Sequence, residues 1–404
     1  MTLAGRRIVL GVSGGISAYK AVDVCRRLID AGAIVAPVLT RGALRFVGET
    51  TFSALASERV RTSLWDEAEP IPHTRLGQGA DLVVVCPATA RILSDYRTGR
   101  SADLLTATLI ATRAPVVVCP AMHTEMWEHS AVQDNMAVLA ARGVHIVGPE
   151  SGRLAGGDFG AGRLAAPETV LAAIERVLGP RDLDGVAVLI TAGGTRETID
   201  PVRVITNRSS GKQGYALAEA AIARGARVTL VTTVDRAAPP GVAAVVAVES
   251  AADMQAAVMP RAAAHDVVIM AAAVADFRPK EVADHKLKKG DSVVGASLVP
   301  ELILEPTHDF LVDLGHAKRA DQIIVGFAAE TDNVIDNART KLARKNLDLI
   351  VANDVSAPNV GFAHETNEVT ILPAHGEPLK VSLTSKRAIA DRILDAIVRE
   401  RSRQ

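Results

Sequence analysis

Twice along its 404 residues the chain runs through the same alternation of short apolar segments and longer helical stretches. In the first half the strand candidates are Ile8–Gly11, Ile34–Leu39, Leu82–Cys86, Val116–Cys119 and His145–Val147, with helical stretches such as Ser17–Asp30 and Met126–Arg142 between them. In the second half they are Ala187–Thr191, Val228–Val231, Val267–Met270, Ile323–Gly326 and Leu349–Val351. This order argues for α/β architecture: parallel sheets joined by right-handed crossovers, with ligands at the carboxyl ends of the strands. Val369–Leu372 and Lys380–Leu383 flank a Gly-containing turn at Ala374–Glu377 and read as an antiparallel hairpin, followed by a helix from Ser385. The breaker-rich link Leu178–Gly185 places a boundary at about residue 181. Two Rossmann-like three-layer domains are expected, residues 1–180 and 181–404.

Composition narrows the function. Small aliphatic residues dominate and aromatics make up only 3%, which suits buried parallel strands and not a base-stacking surface. The net charge of −1 offers no global field for nucleic acid or an acidic membrane, so neither is expected as a partner. Cys25, Cys86 and Cys119 show no C-x-x-C spacing, against a disulfide framework or zinc site and in favour of a reducing cytoplasm. The start imitates a signal peptide, but its apolar core, Ile8 to Val12, is short and interrupted by Gly11. No apolar stretch is long enough to span a bilayer, so a soluble cytoplasmic protein is expected.

The chemistry begins at T-A-G-G-T-R-E-T-I-D-P-V-R-V-I-T-N-R-S-S-G-K-Q-G, Thr191 to Gly214. It follows an apolar strand and leads into a helix from about Tyr215, so its backbone N–H groups make an anion site that glycine lets a phosphate approach. Gly193–Gly194 and Ser209–Ser210–Gly211, beside Asn207 and Lys212, suit a nucleoside triphosphate and a second anionic substrate. An ordinary NAD(P) turn is the rival reading, though G-x-G-x-x-G is absent. Further on come A-A-A-V-A-D-F-R-P-K (Ala271–Lys280), H-K-L-K-K-G (His285–Gly290), V-G-F-A-A-E-T (Val325–Thr331) and K-L-A-R-K-N-L-D-L-I-V-A-N-D (Lys341–Asp354). Lys341 and Lys345, spaced i, i+4, share one side of a helix, as phosphate ligands or as ordinary surface lysines.

In the first half, G-V-S-G-G-I-S-A-Y-K (Gly11–Lys20) can cradle one phosphate. P-I-P-H-T-R-L-G (Pro70–Gly77), D-L-V-V-V-C-P-A-T-A (Asp81–Ala90), P-A-M-H-T-E-M-W (Pro120–Trp127) and G-D-F-G-A-G-R-L (Gly157–Leu164) follow in order. On these motifs residues 5–178 resemble the flavin-containing cysteine decarboxylases, and residues 184–400 resemble the ligase half of the bacterial bifunctional phosphopantothenoylcysteine decarboxylase / phosphopantothenate–cysteine ligases.

The resemblance implies a flavodoxin-like first domain in which FMN oxidises a cysteinyl thiol, carbon dioxide leaves, and the reduced flavin returns its electrons to the resulting enethiol. It implies His73 as a catalytic histidine. Ser13, Gly15, Thr40 and Thr89 are the expected FMN contacts; each could instead be a local helix cap. Two positions depart from the family pattern. His123 stands where P-x-M-N-x-x-M-W has asparagine, and Gly156 stands where a flap cysteine donates the proton of the final reduction. Substitutes for that proton are His123, Asp158, Cys86, Cys119 or water; His123 is preferred, because it belongs to a substrate-facing motif.

For the second domain the resemblance implies ligation of L-cysteine to 4′-phosphopantothenate through an acyl-cytidylate, with Asn207 orienting the intermediate. It implies CTP held by Asp276, Lys286, Phe327, Lys341, Lys345 and the segment Pro300, Glu301, Leu302, Ile303. Lys212, Lys288 and Lys289 are added phosphate contacts, and Ala273 supplies backbone hydrogen bonds to the base. Mg²⁺ rides on the phosphates, with no dedicated protein cage. Nothing physical in these residues separates CTP from ATP. The resemblance further implies a homo-oligomer in which decarboxylase trimers are joined by ligase dimers, a dodecamer. The alternative is an active ligase whose flavin-binding domain is regulatory or cannot complete decarboxylation.

Overall fold

The computed structural model describes residues 3–65, 70–287, 302–330, 333–354 and 364–403. The chain divides into two compact units, residues 1–180 and 181–404. The first carries, in order, β1 (Arg7–Val12), α1 (Lys20–Asp30), β2 (Ile34–Leu39), α2 (Glu49–Ser53), α3 (Pro72–Gly79), β3 (Leu82–Ala88), α4 (Ala90–Thr98) and α5 (Leu104–Ala111). It continues with β4 (Val116–Pro120), α6 (Thr124–Glu128), α7 (Ser130–Ala141), β5 (His145–Ile146), the hairpin β6 (Glu150–Arg153) and β7 (Phe159–Arg163), and α8 (Pro167–Leu178). Strands β1 to β5 form a parallel sheet in the order 2-1-3-4-5, the flavodoxin-like arrangement, whose order reverses between β1 and β3.

The sheet is buried on both faces because its strands are apolar at every position. Ile8, Leu10 and Val12 enter one core with Cys25 and Leu28 of α1 and Val170 and Ile174 of α8. Val9 enters the opposite core with Leu76 of α3, Leu93 of α4, Leu105 of α5 and Leu139 of α7. Each fully buried aliphatic side chain contributes about 1.5–3 kcal/mol. The helix expected over Met126–Arg142 is broken at His129, whose extended backbone (φ −62°, ψ 130°) separates α6 from α7 and whose ring accepts the Ala131 N–H.

The second unit contains β8 (Ala187–Ala192), the hairpin β9 (Arg196–Asp200) and β10 (Arg203–Thr206), α9 (Lys212–Ala223), β11 (Arg227–Thr232), β12 (Ala244–Ala247), α10 (Ala251–Ala262) and β13 (Val267–Met270). After these come β14 (Phe277–Pro279), β15 (Leu304–Pro306), α11 (Phe310–Ala317), β16 (Ile323–Glu330), α12 (Val334–Arg344), β17 (Leu349–Asp354), β18 (Thr366–Pro373), β19 (Leu379–Ser385) and α13 (Lys386–Arg401). The main sheet runs β12-β11-β8-β13-β16-β17-β18-β19. Its six parallel strands, numbered from β8, take the order 3-2-1-4-5-6, the doubly wound Rossmann arrangement. The hairpin β18–β19 extends it antiparallel. Helices α9 and α13 cover one face and α10, α11 and α12 the other. Strand order reverses between β8 and β13, where a crevice opens at their carboxyl ends. Among the described residues, no helix is long and apolar enough to cross a membrane.

Candidate functional site

Each unit holds a cavity at its own reversal of strand order. In the first, a cavity of about 1080 Å³ is lined by the turn after β1, Ser13 to Ser17, by Thr40 after β2 and by Thr89 after β3. Met122, His123 and Met126 border it, as do Arg153 and Leu154 of the β6–β7 hairpin. Four expected residues, Ser13, Gly15, Thr40 and Thr89, therefore meet there, with His123.

Their hydroxyls are partly engaged already. Ser13 Oγ donates to the Pro87 carbonyl at 2.8 Å and accepts the Thr89 N–H at 3.1 Å, tying the ends of β1 and β3 together. Thr40 Oγ1 accepts the Ala43 N–H at 3.2 Å. The turn is held close: a Cβ on Gly14 would lie 2.6–2.8 Å from the backbone of Gly42. Lys20, Arg41, Arg91 and Arg163 add positive charge to the wall. Burial, with the charge of Arg163 second, holds the Lys20 ammonium below its ordinary range, a cost that an entering anion relieves. Hydroxyls and backbone at strand ends, cations, and the apolar Ile16, Met122 and Leu154 form a donor set that fits a flavin phosphate and ring.

His73 is not among the described residues lining this cavity. It sits in the first turn of α3, which packs on α5, and its Nδ1 is buried without a partner. Cys86 and Cys119, on β3 and β4, are fully buried within one hydrophobic core. The hydrogen bond with Cys86, then burial, pushes the Cys119 thiol well up, and neither sulfur borders the cavity. Both are thereby removed as proton sources for a substrate there.

Gly156 lies in the turn between β6 and β7. A Cβ built on it would lie 3.0 Å from His123 Nε2 and 3.2 Å from Asp158 Oδ2. His123 Nδ1 is 3.0 Å from Glu125 Oε2, and Nε2 is 4.0 Å from Asp158 Oδ2. Hydrogen bonds from its own backbone N–H and from His123 hold the Glu125 carboxyl below the usual range.

In the second unit a cavity of about 440 Å³ lies at the carboxyl ends of β13 and β16, beside the start of α9 that follows β8. Asn207, Ala273, Asp276, Phe327, Lys341 and Lys345 all line it, with Ser209 to Lys212 at the start of α9. Gly211, at φ +74°, turns the chain into that helix. Lys345 Nζ is 2.7 Å from Asp309 Oδ2. The reading of Ala273 changes. Its N–H donates to the Gly193 carbonyl at 2.8 Å, and its carbonyl accepts the Thr195 N–H and Asn207 Nδ2. Those backbone groups hold the loop together and are already committed before any base arrives.

Exposed Lys286, Leu302 and Ile303 do not line this cavity; Leu302 and Ile303 flank the β14–β15 pair, where the Lys280 N–H donates to the Ile303 carbonyl. Lys288, Lys289, Pro300 and Glu301 lie outside the described residues. Sequence reasoning overlooked Lys386, which lines the cavity from the first turn of α13 and is only 6% exposed. Burial, with the charge of Lys212 second, holds its ammonium low. Its signal, a lysine just after a strand–serine cap, is too common to single it out.

Two family models match the chain: flavoprotein, over residues 1–179, and DNA/pantothenate metabolism flavoprotein C-terminal domain, over residues 183–400. The chain is 47% identical to the coenzyme A biosynthesis bifunctional protein CoaBC of Mycobacterium tuberculosis, covering 97% of this chain and 96% of that one. It is 46% identical to the protein of the same name from Bacillus subtilis, covering 98% and 97%. Among solved structures, the C-terminal domain of a CoaBC protein is 43% identical, covering 55% of this chain and 100% of that one, with a TM-score of 0.46. With these matches spanning both units, the chain belongs to the family of coenzyme A biosynthesis bifunctional proteins.

Proposed function

We propose that the carboxy-terminal domain joins L-cysteine to 4′-phosphopantothenate through an acyl-cytidylate made from CTP, and that the amino-terminal domain decarboxylates the product to 4′-phosphopantetheine. The chain is a bifunctional enzyme of coenzyme A biosynthesis, a ligase and a decarboxylase in one polypeptide. Its flavoprotein domain uses FMN, which supplies the oxidation and re-reduction at the cysteinyl carbons. The observation that most supports the ligase reading is the gathering of Asn207, Lys341 and Lys345 around one cavity where strand order reverses.

A carboxylate must become electrophilic before an amine can attack it. Attack on the nucleotide α-phosphate leaves an acyl-nucleotide and pyrophosphate, and the cysteine amine then displaces the nucleotide. Little of this needs a covalent protein group, so neutralising charge and aligning reactants are the protein's tasks. Lys341, Lys345 and Lys212 would meet the phosphates, Mg²⁺ arriving with the nucleotide would neutralise more of their charge, and Asn207 would direct the acyl group. In the flavin domain Ser13, Gly15, Thr40 and Thr89 hold the cofactor with Lys20 and Arg163. Because His73 does not border its own chain's cavity, we assign it to the cavity of a neighbouring copy, in a homo-oligomer of decarboxylase trimers joined by ligase dimers.

Mass spectrometry of products tests the whole reading, with purified protein, 4′-phosphopantothenate, cysteine, CTP and Mg²⁺. A mass matching 4′-phosphopantetheine is expected. Accumulation of 4′-phosphopantothenoylcysteine would leave only the ligase, and no cysteine adduct at all would overturn both assignments. Replacing CTP by ATP in the same assay decides the nucleotide.

A further inference from the structure

Gly156 stands where the decarboxylase family has its flap cysteine, and the His123 ring borders that place. A side chain at Gly156 would start 3.0 Å from His123 Nε2, tighter than an ordinary contact, and 3.5 Å from His123 Cε1, an ordinary one. A side chain at residue 156 would therefore press on the His123 ring, which would have to give by a few tenths of an ångström. Set against the family motif, the two positions differ together: His123 stands where asparagine is usual and Gly156 where cysteine is usual.

We propose that His123, held by Glu125, is the proton donor of the final reduction, in place of the missing cysteine; this rests on the decarboxylase reading above. His123 lines the cavity, and Glu125 Oε2 accepts from its Nδ1 at 3.0 Å, which leaves Nε2 turned toward Gly156. In the step, the protonated ring gives up its Nε2 proton: that N–H bond breaks and a C–H bond forms at one carbon of the enethiol double bond. The electron pair and hydrogen for the other carbon come from the reduced flavin, which is reoxidised. The ring is left neutral and regains a proton from solvent, which reaches it because the side chain is 40% exposed. Imidazole is suited to this because it changes charge near neutral pH. The side-chain alternatives fall away on position, and the variants below separate His123 from water. Cys86 and Cys119 are enclosed in the core, and Asp158, with 71% of its side chain exposed, stands 4.0 Å behind Nε2 as a second carboxylate partner.

The test uses full-length protein loaded with FMN and given 4′-phosphopantothenoylcysteine without oxygen, following flavin colour and product mass together. The native enzyme bleaches, regains its yellow colour and releases 4′-phosphopantetheine. His123→Gln, which keeps a hydrogen-bonding amide but has no transferable proton, is expected to bleach and stay bleached. Its product should be two hydrogens lighter, with completed turnover down about 100-fold. His123→Asn should behave alike, and the double variant His123→Asn with Gly156→Cys should recover at least about tenfold over His123→Asn alone. Gly156→Cys by itself, crowded against the native ring, should not exceed the native enzyme. Recovery of colour and full product by His123→Gln at the native rate would overturn the proposal, and so would a double variant no better than His123→Asn. A native enzyme whose flavin never bleaches would instead sink the decarboxylase reading itself.

Discussion

Asn207 and Ala273 are joined across the ligase crevice: the asparagine Nδ2 donates to the main-chain oxygen of Ala273 at 2.9 Å. The same oxygen accepts the Thr195 N–H at 3.1 Å, so the loops after β8 and β13 share one acceptor. The side-chain amide is thereby tied to the loop after β13. Asn207→Asp replaces the donor by a carboxylate facing a carbonyl. Cysteine ligation is expected to fall about 100-fold, the scale seen when one preorganised polar group is lost. Supplied 4′-phosphopantothenoylcysteine should still be decarboxylated at the native rate, and equal loss of both activities would refute the assignment.

A methyl group on Gly14 would press on the Gly42 backbone, which cannot swing aside as a side chain would. Overpacking of this kind costs about 1–3 kcal/mol, one to two decades in affinity. Gly14→Ala should therefore purify with little flavin while its ligase activity persists. Absorbance of the yellow cofactor per protein chain measures this directly; full flavin content would show that the turn does not hold it.

His73 and the cavity it is assigned to belong to different copies in the proposed trimer. His73→Ala and Gly14→Ala, each deficient in decarboxylation alone, should then complement when co-expressed, because a mixed trimer contains sites with an intact cavity and an intact neighbouring histidine. Activity no greater than the sum of the separate variants would place both groups in one chain's site.

Asp200 gives a prediction in pH. Its carboxylate is buried at the tip of the β9–β10 hairpin, and burial pushes its pKa up. The N–H groups of Val202, Leu287 and Arg203 outweigh that and hold it below 3.8. A depressed carboxyl contributes stability above its unfolded pKa and loses it as pH falls through the folded value. Asp200→Asn should lower the urea midpoint of the ligase domain at neutral pH, and the gap should narrow as pH falls below the ordinary aspartate range. A gap unchanged with pH would mean the carboxylate charge is not what the hairpin uses.

The parallel strands were legible because sheets buried on both faces demand uninterrupted apolar runs, and Leu82–Cys86 or Val267–Met270 satisfy nothing else. The edge strand Ala244–Ala247 was missed although Val242–Val248 is apolar throughout, because an Ala- and Val-rich run of that length fits helix and strand alike. The hairpins β6–β7 and β9–β10 were missed as strands for another reason. Glu150–Arg153 and Phe159–Arg163 pack over a cavity and not into a core, so their Gly- and Arg-rich pattern has no apolar period. The break at His129 depended on one backbone angle. At the sites, residues at strand ends were readable from local motifs. Arg163 and Lys386 were not, because each reaches its cavity from a distant part of the chain. The commitment of Ala273's backbone could not be read from residue type at all.

Lys386 stands where a helix is least hospitable to it. A cation in the first turn of α13 opposes the helix dipole, and it is buried near a second ammonium, Lys212. Glu365, paired with Lys212, offsets part of that cost, and a negatively charged guest would offset more of it. Occupancy therefore tightens the fold as well as enabling the reaction, so the melting temperature becomes a thermometer for substrate. Heat resistance and readiness to receive an anion thus meet in one small cluster, Lys212, Glu365 and Lys386.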